Sequence, residues 1–523
     1  AGWELFRGRL SASDVEQGEL GDCWFLSSLA ALAEFQGGRF IRELFPGQEG
    51  LSRSGAYMVR LCIAGQWRGV IVDDRLPCMG GGNYHKQLAY CVTHRQQLWA
   101  SLIEKAYAKA CGSYKAIQGG EAGEALSVLT GCPCTLIRFC RDGFDPEIMW
   151  STLCASRDAG FLMTCSTTTC SVRTSSLQPY HVYSLLSVYE EHITGRGRVR
   201  LLKIRNPNAR TKWQGAWSDR SSLWTPQLRE KLGCPKGGNP QVFFMEYGDF
   251  LKQFAHATIC KVRASGWHDT RKMAALGGSG IQPAGVSLQV ASATQCSVSL
   301  VQPDERMPRF PGSAASLVPA GFVVLQQDRL GRSTVVATSR IQRHSHVSVD
   351  CLLSPEHSYL VVPLSLHGGA PLAATVVCVS DQQVWLKERR VDADTSRQAW
   401  AAYVQKLDPH GVRVGREVTL RTARGEGGFV VVVAENRGAD YLNVEHALAS
   451  SSLSFSRGHP ATSDWIAPGH AQVLQVAQPN SHGATVSWKS SHRFQMAPAC
   501  PSRSLHSPPL RQQPDDLHAP FSL

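Results

Sequence analysis

The chain has 523 residues, too many for one compact core, so three to four domains are expected. It is 43% hydrophobic and 18% charged, an ordinary globular composition, and it lacks the long apolar run that a membrane-spanning helix requires. The net charge of +12 would suit an acidic partner, but the basic residues are scattered and no basic stripe alternates with aromatics, which points away from nucleic acid.

The opening "AGWELFRGRL" shows no basic-then-apolar leader, so no signal peptide is expected, and a start without Met suggests a piece of something longer. Residues 16–34, "EQGELGDCWFLSSLAALAE", read as a turn feeding a helix. Phe25, Leu26, Leu29, Ala30, Leu32 and Ala33 recur on a helical period after Gly21-Asp22. Cys23 then sits at the helix N-terminus, where the dipole favours a thiolate. The alternative is a small buried core cysteine.

"WRGVIVDDRLP" (67–77) reads as a strand running into a turn. "LWASLIEKAYAKACGSY" (98–114) reads as an amphipathic helix with Leu102, Ile103, Ala106, Tyr107 and Ala110 on one face. From about 158 the period changes to two. Strands are expected in "GFLMTCSTT", "YHVYSLLSVYEE" and "RVRLLKIRNP", the last two joined by a Gly/Arg turn at 195–198. Short helices follow in "WTPQLREKLG" and "YGDFLKQFAH". Beyond 272 the reading is β throughout.

The expected architecture is α+β. A helical lobe spans 1–157 and a β lobe 158–271, followed by a β-sandwich at 272–366 and a second β domain at 370–490. The tail, 491–523, has the Pro/Ser/Gln bias of a disordered end. Seventeen cysteines are an odd number, and they show neither paired CxxC spacings nor an even framework. That pattern argues against a zinc site or a disulfide scaffold and fits a reducing cytoplasm.

A nucleophilic cysteine needs a base, an orienter for that base, and donors for the oxyanion. Gln17 lies six residues before Cys23, in a loop able to fold back over the helix N-terminus. His181 opens one strand and Asn206 ends the next, so a hairpin would set them side by side. Each residue has a bland alternative: a surface histidine, an Asn-Pro turn, a solvated glutamine. Taken together, in the order Gln, Cys, His, Asn across a helical and a β half, they outweigh those alternatives as a nucleophilic-cysteine site.

"QGELGDCWFLSSLAAL" resembles the active-site segment of the calpain cysteine proteases, whose fold is papain-like. The resemblance continues in "VIVDDRLP", "LWASLIEKAYAKACGSYKAIQGG", "HVYSLL", "IRNP" and "WQGAWSD". "ICKVRASGW", "VVVVAENR" and "HSPPL" are similar to the small-optic-lobes branch, which carries N-terminal zinc fingers absent here and a C-terminal region of its own. The resemblance implies an intracellular endopeptidase making limited cuts in protein substrates, with Cys23 as nucleophile, His181 as base, Asn206 as orienter and Gln17 as oxyanion donor. It also implies calcium in the first lobe, on Asp14 and Glu124. In the second lobe the acidic pattern is broken by Lys212, Pro240 and Val242, leaving Asp219, so no calcium is expected there. Asn208 replaces a family tryptophan, and Tyr180 a family glycine before the histidine. A scaffold using the same fold with little turnover is the alternative, and a transglutaminase-like acyl transferase a more distant one.

Overall fold

In a computed structural model, the described residues are 2–79, 87–140, 144–167, 177–193, 195–206, 213–263, 266–277, 283–303, 306–307, 317–327, 333–365, 371–425, 428–480, 487–499 and 517–523. They fall into two compact units, Ala1–Ser265 and Gly266–Leu523.

The first unit is built around a helix buried on every side. A short strand β1 (Val15–Gln17) leads to α1 (Cys23–Glu34), in which every residue from Trp24 to Ala33 is buried. Each large apolar side chain taken from water there contributes about 1.5–3 kcal/mol, so the helix is held by packing rather than by its caps. Phe25 stacks on Tyr107 with ring centroids 4.7 Å apart. The Trp24 indole N–H donates to the Ile117 carbonyl at 3.1 Å. Gly120 permits that approach, since a Cβ there would lie 2.5 Å from the indole ring. Strands β2 (Ala56–Ile63) and β3 (Gln66–Asp73) form a hairpin. β4 (Cys91–Thr93) pairs with β1, and α2 (Trp99–Cys111) and α3 (Ala122–Thr130) complete this half.

The other half is a six-stranded antiparallel sheet. Its strands are β5 (Cys134–Arg138), β6 (Leu162–Ser166), β7 (Val182–Ile193), β8 (Gly197–Arg205), β9 (Val242–Glu246) and β10 (His256–Cys260), in the order β9-β8-β7-β6-β10-β5. Helix α4 (Pro146–Asp158) packs Met149, Trp150 and Leu153 into the core of that sheet. Asp145 caps it by accepting from the Glu147 and Ile148 main-chain N–H groups, with Pro146 at the first helical position. The β half therefore begins near Cys134 rather than at 158, because β5 pairs with β10 across more than a hundred residues of chain.

The second unit carries a nine-stranded antiparallel sheet from β11 (His268–Leu276) through β12 (Ala284–Val290) and β13 (Thr294–Val301) to two last strands, β14 (Leu372–Ser380) and β15 (Val384–Arg390). β14 pairs with β11 and β13, and β15 with β12. The division expected at 366–370 is thus corrected to a point after Arg390. A run read as β throughout also contains α5 (Ala393–Leu407), whose Ala399, Trp400, Tyr403 and Val404 are buried on a helical spacing. Asp392 caps it, accepting from the Thr395 N–H at 2.7 Å. Beyond α5, six strands and a separate three-stranded sheet enclose a further core. The tail is not wholly unstructured: a strand at Lys489–Ala497 is the polar outer edge of the three-stranded sheet, and Phe521–Ser522 pair with His470 and Ala471. No described helix is long and apolar enough to cross a membrane.

Candidate active site

The β7–β8 hairpin, with Ser184 opposite Arg205, brings the residues just beyond its open end together. His181 Nε2 lies 2.9 Å from Asn206 Oδ1, and both side chains are buried. An amide oxygen only accepts, so Nε2 carries the hydrogen and Nδ1 is the bare acceptor. Nδ1 is buried without a hydrogen-bond partner among the described residues. The ring is fixed from other directions too. The His181 N–H donates to Thr167 Oγ1 at 3.1 Å, Tyr183 packs edge-on at 5.0 Å, and the Asn206 N–H donates to the Gln241 carbonyl. Burial outweighs the Asn206 hydrogen bond and lowers the His181 pKa to about 4, so the imidazole rests neutral.

Cys23 is partly exposed at the head of α1. Ser27, one turn on, donates to the Cys23 and Val182 carbonyls at 2.6 and 3.1 Å, docking the helix against the start of β7. The thiol itself points to the Tyr180 carbonyl, 3.9 Å away. Tyr180 is mostly exposed and holds a left-handed backbone, φ +48°, a region that glycine enters freely and other residues do not. Burial works against the thiolate that the helix dipole favours. Desolvation pushes the Cys23 thiol up, and the Asp22 charge adds to that, outweighing the Val182, Trp24 and Cys23 main-chain N–H groups. Burial thus favours the neutral form of both Cys23 and His181.

Gln17 ends β1 half-buried, its Nε2 donating to the Leu20 carbonyl at 2.7 Å, which folds the loop ahead of α1 back on itself. Gly18 lets this loop pass β4's approach, since a Cβ there would meet the Tyr90 carbonyl oxygen at 2.1 Å. Behind the site, the buried Arg205 joins Glu34 at the end of α1 (3.1 Å) and Gln241 (2.5 Å), tying the helical half to β8.

One feature of the site escaped the sequence reading. Asp22 stands at the N-cap position of α1 but its side chain makes no capping bond. Its carboxyl is buried without a full hydrogen bond among the described residues, and it faces Glu104 on α2, also buried. Glu104 accepts the Cys91 N–H on both oxygens, at 3.0 and 3.2 Å. Desolvation raises Asp22 to about 7 and Glu104 to about 10, each also influenced by the other. The signal was an acid, Glu104, set inside the buried stretch of an apolar helix.

The expected calcium ligands are otherwise engaged. Asp14 is buried, and Arg95 grips it through Nε (2.7 Å) and Nη2 (2.5 Å) while the Ser11 N–H donates at 2.8 Å. Glu124 accepts the Tyr107 hydroxyl at 2.5 Å. Calcium needs six to eight oxygens, and a guanidinium bound to the same carboxylate repels a dication. Among the described residues no three His, Cys, Asp or Glu side chains form a metal cluster. Asp14 and Glu124 as arranged do not fit calcium. In the second lobe Asp219 lies 3.5 Å from Arg229, Val242 opens β9, and Lys212 and Asn208 lie outside the described residues. Among the described residues no cysteine is held in a disulfide.

Comparison with known proteins bears directly on this arrangement. The description "Calpain family cysteine protease" fits residues 1–261, and "Calpain-D-like, C-terminal domain" fits residues 406–499. Calpain-type cysteine protease ADL1 of Oryza sativa subsp. japonica is 37% identical over 267 residues, covering 49% of this chain and 12% of that protein. Calpain-type cysteine protease DEK1 of Arabidopsis thaliana is 38% identical over the same length and shares. Calpain-8 of Rattus norvegicus is 31% identical over 267 residues, 49% of this chain and 36% of the relative. The match thus spans well under half the length of each of these relatives.

Proposed function

Residues 1–261 belong to the calpain family of cysteine proteases, and from that premise we propose that the protein is an intracellular endopeptidase that cuts protein chains by thiol chemistry at Cys23. The observation that carries the proposal is the buried His181–Asn206 pair, which leaves Nδ1 as an unpartnered acceptor beside the helix that bears Cys23.

In this reading the neutral imidazole takes the Cys23 proton at Nδ1 as the substrate carbonyl arrives. Sulfur bonds to the carbonyl carbon, and the oxyanion is held by the Cys23 N–H and the second N–H of the Gln17 amide. His181, now charged, gives its proton to the leaving amine. Water, deprotonated by the same nitrogen, then releases the acyl group and restores the thiol. Asn206 keeps Nε2 protonated and the ring in plane through these steps. Calcium enters none of them, because Arg95 already neutralises Asp14.

A weakly active scaffold is the second reading, favoured by the contact that turns the Cys23 thiol toward the Tyr180 carbonyl. Digestion of an unstructured protein such as casein separates the two. The protease reading expects discrete fragments that vanish in Cys23→Ala; fragments unchanged in Cys23→Ala, or none from the wild type, would leave the scaffold.

A further inference from the structure

Two carboxyl groups buried in contact, with no cation between them, cannot both be ionised. Asp22 and Glu104 meet this description. Both are nine-tenths or more buried, neither Asp22 oxygen has a full hydrogen bond among the described residues, and the Glu104 carboxyl and Asp22's own main-chain N–H lie against it. The only bond open between them is O–H to O, which requires a proton on one. Among the described residues, Cys23, Cys91 and Tyr114 lie in the field of the pair, and none of them can carry a positive charge. Glu104 is anchored by the Cys91 N–H and so cannot turn away, while Ser101 holds the Cys91 carbonyl at 2.9 Å.

We infer that Asp22 and Glu104 share a proton and, acting as positioning residues through Cys23, set the charge beneath the head of α1 and hence the reactivity of the thiol. This inference rests on Cys23 being the nucleophile. With the pair fully protonated, the dipole of α1 acts on Cys23 unopposed. When the pair loses its more acidic proton, the negative charge appears on Asp22, directly beside the sulfur, and disfavours the thiolate. Burial and the pair's mutual repulsion hold both carboxyls well above the usual carboxylate range, Glu104 further than Asp22.

The two isosteric variants should act in opposite directions. Asp22→Asn removes the charge and should speed alkylation of Cys23 at pH 7.5, by about three- to tenfold, and lower the midpoint of its pH profile. Glu104→Gln replaces the competing acid by an amide donor, so that Asp22 ionises earlier and alkylation slows by a similar factor with the midpoint raised. The measurement is the iodoacetamide rate on the full chain between pH 5 and 10, with Cys23 occupancy read by peptide mapping. Shifts in the same direction, as two destabilised helices would give, or no shift, would overturn the inference. Should a variant fail to fold, or Cys23 resist the reagent, an infrared titration of the wild type decides. A protonated-carboxyl band persisting at pH 8, where solvated acids are ionised, supports the shared proton, and its absence refutes it. Opposed shifts without casein cleavage would leave the pair standing and remove the protease reading.

Discussion

The helical and sheet halves of the first unit hold their site residues by different physics. On the sheet side, His181 and Asn206 are locked by a strand ladder and by hydrogen bonds that leave the imidazole one free nitrogen. On the helical side, Cys23 stands on a helix held by apolar burial, with the buried Asp22–Glu104 pair behind it and one long contact from its thiol to the Tyr180 carbonyl. The sheet half fixes geometry. In the helical half the charge near Cys23 depends on the protonation of Asp22 and Glu104.

Breaking the oxyanion contact tests this contrast with the largest effect. Gln17→Ala should lower kcat by ~10²–10³ while the rate of Cys23 alkylation stays within twofold of wild type. A parallel fall in alkylation would place Gln17 in the thiol's own environment instead.

The Arg95–Asp14 pair sharpens the same contrast, because it replaces an expected adjustable cation by a fixed one. Arg95→Ala leaves Asp14 buried with a single N–H donor and should destabilise the first unit by roughly 3 kcal/mol in urea. Calcium should not raise the Tm of the wild type. A calcium-dependent rise that Asp14→Asn abolishes would restore the ligand role first assigned to this residue.

Acid should act mainly on the sheet half. His181 has a folded pKa near 4 against an ordinary value of 6.5. A depressed pKa of this kind contributes stability that is complete above pH 6.5 and lost as pH falls toward 4. The contribution is about 3 kcal/mol, and His181→Gln should flatten that limb of a urea midpoint against pH. An unchanged limb would mean that the ring is charged or solvated in the folded state.

How much of this could be read from residue order follows the same division. Cys23, His181 and Asn206 were legible because each lies at the end of an element whose period is plain, and a hairpin with a Gly/Arg tip sets His181 against Asn206 almost by counting. The Asp22–Glu104 pair joins residues 82 apart on different elements, and local periodicity says nothing about which acid is buried. Arg95 reaches Asp14 from a turn in which Arg95 and Gln96 both hold positive φ, a conformation their side chains do not advertise. In the second unit α5 was lost in a β rhythm although Asp392 and the spacing of Ala399, Trp400 and Tyr403 mark a helix. The first sheet recruits residues 372–390 by non-sequential pairing, which no linker composition reveals.

The smallest effect concerns Tyr180, just before β7. Tyr180 occupies a left-handed backbone that costs a non-glycine residue about 1–2 kcal/mol, partly offset in glycine by its larger loss of freedom on folding. Tyr180→Gly should therefore stabilise the first unit by about 1 kcal/mol or less, read as a small rise in Tm. A loss of stability would show that the ring, although mostly exposed, contributes more packing than its backbone costs.

The most direct test of the proposal that Cys23 and His181 act without calcium is labelling of the purified full chain with a thiol-directed peptidyl epoxide, in calcium and in chelator, with the modified cysteine identified by peptide mapping. The account predicts labelling of Cys23 alone, at the same rate in both solutions, and its loss in His181→Ala. Labelling that requires calcium, or that persists without His181, would contradict it.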